Sequence, residues 1–186
     1  MVQPAHLILI GLPGAGKSTH GRRAARQMQR PFIDLDKRVT QLAGRSVAEI
    51  FRDDGEAAFR AWERTATAAL ALEPASIIAP GGGWMLDPAN VALVKPSSTI
   101  LWLQVSPYVA VQRMGARIRS RPLLSSGDPV STLTDLLCQR EARYALADAV
   151  LNTELYNWKG VIDAIVAFAP PPEPEQPPVG TPETTP

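Results

Sequence analysis

The chain has 186 residues, 45% hydrophobic and 20% charged, with a formal net charge of +1 and one cysteine. That size and balance suit one domain with a substantial core. They leave no electrostatic case for nucleic acid or an acidic membrane as main partner, and they exclude an internal disulfide, which fits a reducing compartment.

Leu7-Ile8-Leu9-Ile10 is a short apolar run that reads as a buried first strand. Gly11-Leu12-Pro13-Gly14-Ala15-Gly16-Lys17-Ser18-Thr19 follows it and matches G-x-x-x-x-G-K-[ST]. A helix is expected from there to about Arg30. Glycines let such a loop bring N–H groups against phosphate oxygens, and a helix N-terminus adds donors and a positive dipole end. Lys17 would supply charge to the β- and γ-phosphates, and Ser18 a hydroxyl to Mg²⁺. At ordinary glycine frequency a chance match is on the order of 1 in 100. The motif therefore predicts a magnesium–nucleoside triphosphate site. Because it begins at Gly11, no signal or transit peptide is expected ahead of it. No segment reaches the ~18 apolar residues of a membrane span, and a cytoplasmic protein is expected.

Phe32-Ile33-Asp34-Leu35-Asp36 reads as the second strand, with Asp34 and Asp36 on one side by strand alternation. The alternative is a solvated strand end or an Asp helix cap before Lys37. Their place one β-α unit after a phosphate loop favours the site. Ser46-Val47-Ala48-Glu49 matches a capping box. It opens a helical region to about Leu72, broken at Gly55, with Val47, Ile50 and Phe51 facing the sheet. Arg60 and Glu63 are spaced to pair. Ala75–Ala79 is the third strand, and Pro80-Gly81-Gly82-Gly83 follows directly. Three glycines point to close approach of backbone and ligand.

Asp87-Pro88 opens a short helix to about Lys95, and Thr99–Val105 is the fourth strand. Pro107 starts a helix that passes Arg113. The polar stretch Arg113-Met114-Gly115-Ala116-Arg117-Ile118-Arg119-Ser120-Arg121 reads as a mobile lid whose guanidinium groups suit phosphate charge. Thr132–Asp135 caps the next helix, through about Leu146, in which Cys138 is expected to be buried. Asp148–Thr153 is the fifth strand and Trp158–Phe168 the last helix. His6 and His20 have no metal-ligand spacing around them. From Pro170 onward the chain turns to Pro, Glu, Thr and Gln and is expected to be a disordered tail.

Taken together these residues resemble the shikimate kinases, in the nucleoside-monophosphate-kinase-like group of P-loop enzymes. The resemblance rests on Gly11–Thr19, Phe32–Asp36, Phe51 with Gly55-Glu56 and Phe59-Arg60 through Glu63, Gly81–Gly83, and Arg121-Pro122-Leu123-Leu124 followed by Arg140 and Tyr144. It implies a three-layer α/β fold, with a five-stranded parallel sheet of order 2-3-1-4-5, helices on both faces and a lid. It implies ATP-dependent phosphorylation of the shikimate 3-hydroxyl, in the route to chorismate and aromatic amino acids. ATP would sit on Gly14, Ala15, Gly16, Lys17, Ser18 and Thr19, with Arg113 packed on adenine and Arg121 reaching the phosphates. Ser18 and Asp34 would hold Mg²⁺. Asp36 would contact the acceptor hydroxyl as the candidate base, Arg60 and Arg140 would grip the shikimate carboxylate, and Gly81, Gly82 and Gly83 would hold the ring. Glu63 would orient Arg60. Trp84 departs from the family pattern and stands where it would narrow the substrate pocket. A gluconate kinase shares the phosphate loop, but the glycine run and Arg121-Pro122-Leu123-Leu124 argue against it. The expected unit is a monomeric domain over 1–169 with a tail over 170–186, acting on small molecules.

Overall fold

Parallel strands joined by helical crossovers must bury both faces of their sheet, so their residues read as continuous apolar runs. The computed structural model, which describes residues 5–120, 124 and 127–171, has that character. Strand β1 (His6–Ile10) is buried at every position. Around it lie β2 (Phe32–Asp34), β3 (Ile77–Ala79), β4 (Ser98–Gln104) and β5 (Ala149–Asn152), all parallel, in the order β2-β3-β1-β4-β5. Leu7 pairs with Ile77 on one side and Thr99 on the other, which puts β1 at the centre. The helices are α1 (Lys17–Gln27), α2 (Leu35–Ala43), α3 (Val47–Asp53), α4 (Gly55–Ala68), α5 (Pro88–Val94), α6 (Pro107–Met114), α7 (Pro129–Tyr144) and α8 (Trp158–Phe168). No helix among the described residues is long and apolar enough to cross a membrane.

The expected sheet order is the one found. The second strand is shorter than its pattern suggests. It ends at Asp34, whose backbone stays extended while its carboxylate accepts from Lys37 N at 3.4 Å. That cap starts α2 one residue later, so Asp36 stands in a helix's first turn and strand alternation does not place it. Asp34 caps a helix, and it also lines the cleft described below.

Other expectations are corrected. Helix α7 is capped by Asp128, which accepts from Val130 N and Ser131 N, with Pro129 pre-set for the first turn; Thr132 already lies inside the helix. Its buried residues are Leu133 and Tyr144, so Cys138 falls on the outer face and is exposed. Helix α3 packs on α4 rather than on the sheet. Ile50 is buried there, while Phe51 stays 41% exposed with its ring 4.7 Å from Phe59. The break at Gly55 stands, with φ +80° at that residue. The tail beyond residue 171 lies outside the described residues.

His6 is fully buried and spans two elements. Its Nδ1 accepts from Ser76 N at 3.2 Å, and its Nε2 lies 3.0 Å from the Leu70 carbonyl oxygen, to which it donates. Burial, first of all, holds its pKa below the ordinary 6.5.

Candidate active site

Chain segments leaving the carboxyl ends of parallel strands converge on one edge of the sheet. Here they enclose a cleft of about 580 Å³. The loop after β1 supplies Pro13, Gly14 and Gly16, the start of α1 supplies Lys17, Ser18 and Thr19, β2 and α2 supply Asp34 and Asp36, the end of β3 supplies Ala79 to Gly82, and Thr153 follows β5. Arg113 and Met114, from the end of α6, lie on the same wall.

The phosphate end is built from backbone. Gly14 and Gly16 have φ of +86° and +91°, which L side chains rarely adopt. Space forbids a side chain as well. A Cβ at Gly14 would stand 2.6 Å from the Ala110 carbonyl oxygen, and one at Gly16 would stand 2.2 Å from His20 Nδ1. Ala15 is fully buried beneath the loop. Helices α2, α3, α5, α6, α7 and α8 each have a side-chain N-cap, whereas α1 begins at Gly16 with none. Its first-turn amides thus face the cleft without a competing side-chain acceptor, which is the geometry of an anion site. Lys17 Nζ donates to the Gly11 and Leu12 carbonyl oxygens at 2.8 and 3.1 Å, so the loop itself positions the ammonium.

The other end is built from side chains around Gly81, Gly82 and Gly83. None of the three has positive φ, so conformation does not require glycine there. Space does. A Cβ at Gly81 would stand 2.9 Å from Asp36 Oδ1, one at Gly82 2.7 Å from an Arg140 guanidinium nitrogen, and one at Gly83 2.7 Å from Arg60 Nη2. Three consecutive residues therefore carry no side chain because three others, from α2, α7 and α4, pack against their Cα atoms. Tyr144, buried on α7, donates to the Gly82 carbonyl oxygen at 2.6 Å and holds the run from the far side. Burial raises the Tyr144 pKa against the pull of Arg140.

Arg60 is set by two carboxylates. Its Nη1 donates to Glu63 at 2.8 Å and its Nη2 to Glu56 at 2.9 Å. Glu63 is 1% exposed, so this is no solvated surface pair. Burial pushes the Glu63 carboxyl up, and the paired Arg60 pulls it down. Arg140 Nε is buried without a hydrogen-bond partner among the described residues. Trp84, expected to narrow the pocket, turns inward instead. It is 1% exposed and donates from Nε1 to Thr67 Oγ1 at 3.0 Å, because its ring fills core volume beneath the glycine run.

The structure thus brings together on the cleft wall Gly14, Gly16, Lys17, Ser18, Thr19, Asp34, Asp36, Gly81, Gly82 and Arg113. Gly83, Arg60 and Arg140 stand just behind that wall. Arg113 donates to the Thr153 hydroxyl and carbonyl at 2.7 and 3.0 Å. Arg121 lies outside the described residues. Arg117, read with the lid cations, lines the cleft, and sequence reasoning assigned no role to His20, Thr153, Tyr156 or Trp158, which line it too. The available signal was an aromatic cluster just past the end of a strand.

Among the described residues no group of three or more His, Cys, Asp or Glu is placed to hold a metal. Mg²⁺ beside a nucleotide does not need one, because water and phosphate oxygens fill most of its shell. One carboxylate and one hydroxyl suffice, and Asp34 and Ser18 on the same wall fit that donor set.

A family model described as shikimate kinase matches residues 13–169. A shikimate kinase of Moorella thermoacetica is 40% identical over 151 residues, covering 81% of this chain and 86% of that protein. Among solved structures, a shikimate kinase from Acinetobacter baumannii in complex with shikimate superposes with a TM-score of 0.79 at 30% identity, covering 88% of this chain and 91% of the other. A gluconokinase from Sinorhizobium meliloti reaches 0.58 at 17% identity, with 90% and 93% covered, a likeness of fold alone. Architecture, cleft and comparisons agree, and the chain belongs to the shikimate kinase family, whose reaction is ATP-dependent phosphorylation of shikimate.

Proposed function

We propose that the two ends of this cleft divide the family's reaction between them, with ATP on the loop after β1 and shikimate against the glycine run. The observation that carries this reading is the packing of Asp36, Arg140 and Arg60 on Gly81, Gly82 and Gly83, across one cleft from Lys17. Two guanidinium groups near one point suit a carboxylate, which takes planar paired donors. Asp36 then meets a ring hydroxyl on the side facing the phosphates.

In the reaction Asp36 accepts a hydrogen bond from the shikimate 3-hydroxyl and aligns its oxygen with the γ-phosphorus. The hydroxyl proton passes to Asp36 as the new P–O bond forms and the bond to ADP breaks. Phosphoryl transfer is mostly positioning and charge neutralisation, so orientation by Asp36 matters at least as much as its basicity. Loop amides of Gly14 to Thr19 and the Lys17 ammonium hold the β- and γ-phosphates. Ser18 and Asp34 would hold Mg²⁺, which when bound offsets charge on the phosphate oxygens. Arg121 is assigned the same task from the lid, and Arg113 a place beside the adenine. We assign the catalytic domain to 1–169 and the Pro-rich tail to 170–186, in a cytoplasmic monomer with no nucleic-acid or membrane partner.

The test is ADP release by the purified protein with and without shikimate, run beside gluconate. Turnover that depends on shikimate and not on gluconate is expected. No shikimate-dependent turnover at millimolar substrate would end the reading.

A further inference from the structure

Behind the glycine run the interior is polar, where a core is ordinarily apolar. Glu63 and Thr67 from α4, Asn90 from α5 and Trp84 from the short turn between them are all buried. Polar groups inside a protein cost stability unless they are bonded, so their presence there needs a reason. Their hydrogen bonds close a circuit. Asn90 Nδ2 donates to Glu63 Oε2 at 3.5 Å and to the Trp84 carbonyl oxygen at 3.3 Å. Trp84 Nε1 donates to Thr67 Oγ1 at 3.0 Å, and Thr67 Oγ1 donates to the Glu63 carbonyl oxygen at 2.7 Å. Both groups that face the Asn90 amide are acceptors, so its nitrogen rather than its oxygen meets them.

The circuit reaches Arg60 at two points. Glu63 Oε2, which accepts from Arg60 Nη1 at 2.8 Å, is the same oxygen that Asn90 holds. Glu63 Oε1 is buried with no hydrogen-bond partner among the described residues. With Arg60 alone the carboxylate would hang on one contact and could pivot about it. The Asn90 amide supplies a second direction. Gly83, on whose Cα the Arg60 guanidinium packs, directly precedes Trp84, and the Trp84 N–H donates to the Gly81 carbonyl oxygen at 3.1 Å. Asn90 therefore holds both the partner of Arg60 and the turn against which Arg60 rests. Helix α5 is also tied to α4 nearer the surface, where its N-cap Asp87 accepts from Arg64 at 2.8 Å.

We propose that Asn90, acting through Glu63 and Trp84, is a positioning residue for Arg60, so that α5, which supplies none of the described cleft lining, helps to set the affinity for the substrate carboxylate. This rests on the carboxylate role proposed above for Arg60. A planar guanidinium gives a carboxylate two parallel hydrogen bonds in one orientation only, and a small rotation loses one of them while the charge attraction remains. The effect falls on shikimate binding and not on the phosphoryl step.

The test is a double-variant cycle of Asn90→Leu and Arg60→Ala, read by steady-state kinetics with each substrate varied in turn. Asn90→Leu keeps a side chain of similar size and removes the amide. Alone it should raise KM for shikimate about tenfold, as loss of a hydrogen bond to a charged group does. KM for ATP and kcat should stay within about twofold, the pattern of a lost ground-state contact. In the Arg60→Ala background the same change should alter KM for shikimate by less than about twofold, because an effect that runs through Arg60 is silent once Arg60 is gone. An unchanged KM in Asn90→Leu overturns the proposal. So does a tenfold rise in both backgrounds, and so does an equal loss for both substrates, which is what general destabilisation gives. Circular dichroism checks that each variant folds. If Asn90→Leu does not, Trp84→Phe takes its place in the cycle; it removes only the indole N–H, and about a threefold rise with the same silence in Arg60→Ala is expected, the size of a neutral hydrogen bond. An unchanged shikimate KM in Arg60→Ala alone would instead remove the carboxylate role beneath the proposal.

Discussion

The two ends of the cleft are made in opposite ways. The phosphate end is contiguous: one loop and the first turn of α1, held by backbone angles and by close contacts to Ala110 and His20. The end proposed for shikimate is assembled from α2, α4 and α7, whose side chains meet only because Gly81, Gly82 and Gly83 leave room for them. An end made of local backbone is recoverable from a short motif and resists most side-chain changes. An end made of converging side chains depends on every helix that carries one.

The sharpest break in that comparison is expected from Lys17→Met. It removes the cation that the phosphate loop itself supplies to the proposed reaction, and kcat should fall about 10³-fold or more, as loss of a transition-state charge contact does. ADP affinity should change far less; steady-state kinetics beside calorimetry separates the two.

Arg60→Ala should act at the other end. KM for shikimate should rise about a hundredfold, in line with truncating one partner of a desolvated charge pair, while KM for ATP stays within about twofold. The same change leaves Glu63 buried without its cation, so thermal stability should also drop. Equal losses for both substrates would show that the ends are not separable.

Gly82→Ala is subtler. The methyl group would meet the Arg140 guanidinium and displace it by a fraction of an ångström. An increase of about tenfold in shikimate KM is expected, the size of a modest overpacking cost. A second methyl should not add fully, since Gly82 and Gly83 are adjacent and press on Arg140 and Arg60, two guanidinium groups assigned to one carboxylate. The double variant Gly82→Ala/Gly83→Ala measures that coupling.

The smallest effect concerns pH. Burial lowers the pKa of His6 and, with the charge of Arg113, that of His20. A depressed folded-state pKa contributes stability that is present above the ordinary 6.5 and is lost as pH falls through the lowered value. Glu63 runs the other way: its raised pKa contributes stability below the ordinary 4.5 that is lost as pH rises. Below the ordinary 6.5 the two histidines pull Tm down as pH falls while Glu63 opposes them; the two are expected to outweigh the one, with Tm falling by several degrees between about pH 7.5 and 5. Asp87 and Asp148, held low, belong to a window below the ordinary 3.8. His6→Gln, which keeps a donor and an acceptor, should flatten the fall. An unchanged slope would assign it to groups elsewhere.

The strands were legible because buried parallel strands are apolar throughout and turn or capping signals follow them, whereas their order came from the family resemblance, since patterning does not say which strands lie side by side. Ends were less so. Phe32–Asp36 alternates like a strand, yet Asp34 captures Lys37 N and starts a helix inside the pattern. Cys138 and Phe51 sit in apolar surroundings along the chain, but exposure depends on which neighbours a helix finds. Trp84 follows the glycines in sequence and turns away from the cleft, toward Thr67.

The amino-acid order alone carries what neighbouring residues decide: a glycine loop after an apolar strand, hence a triphosphate, and a run of three glycines, hence a close approach to something. What approaches is a tertiary matter. Asp36, Arg60 and Arg140 are spread over more than a hundred residues of chain, and only the crossovers of a parallel sheet bring their helices over one strand end. The same holds for Trp158 and His20, which no local rule relates. Short-range backbone preferences act within a few residues, whereas side-chain convergence is fixed by packing of the whole core.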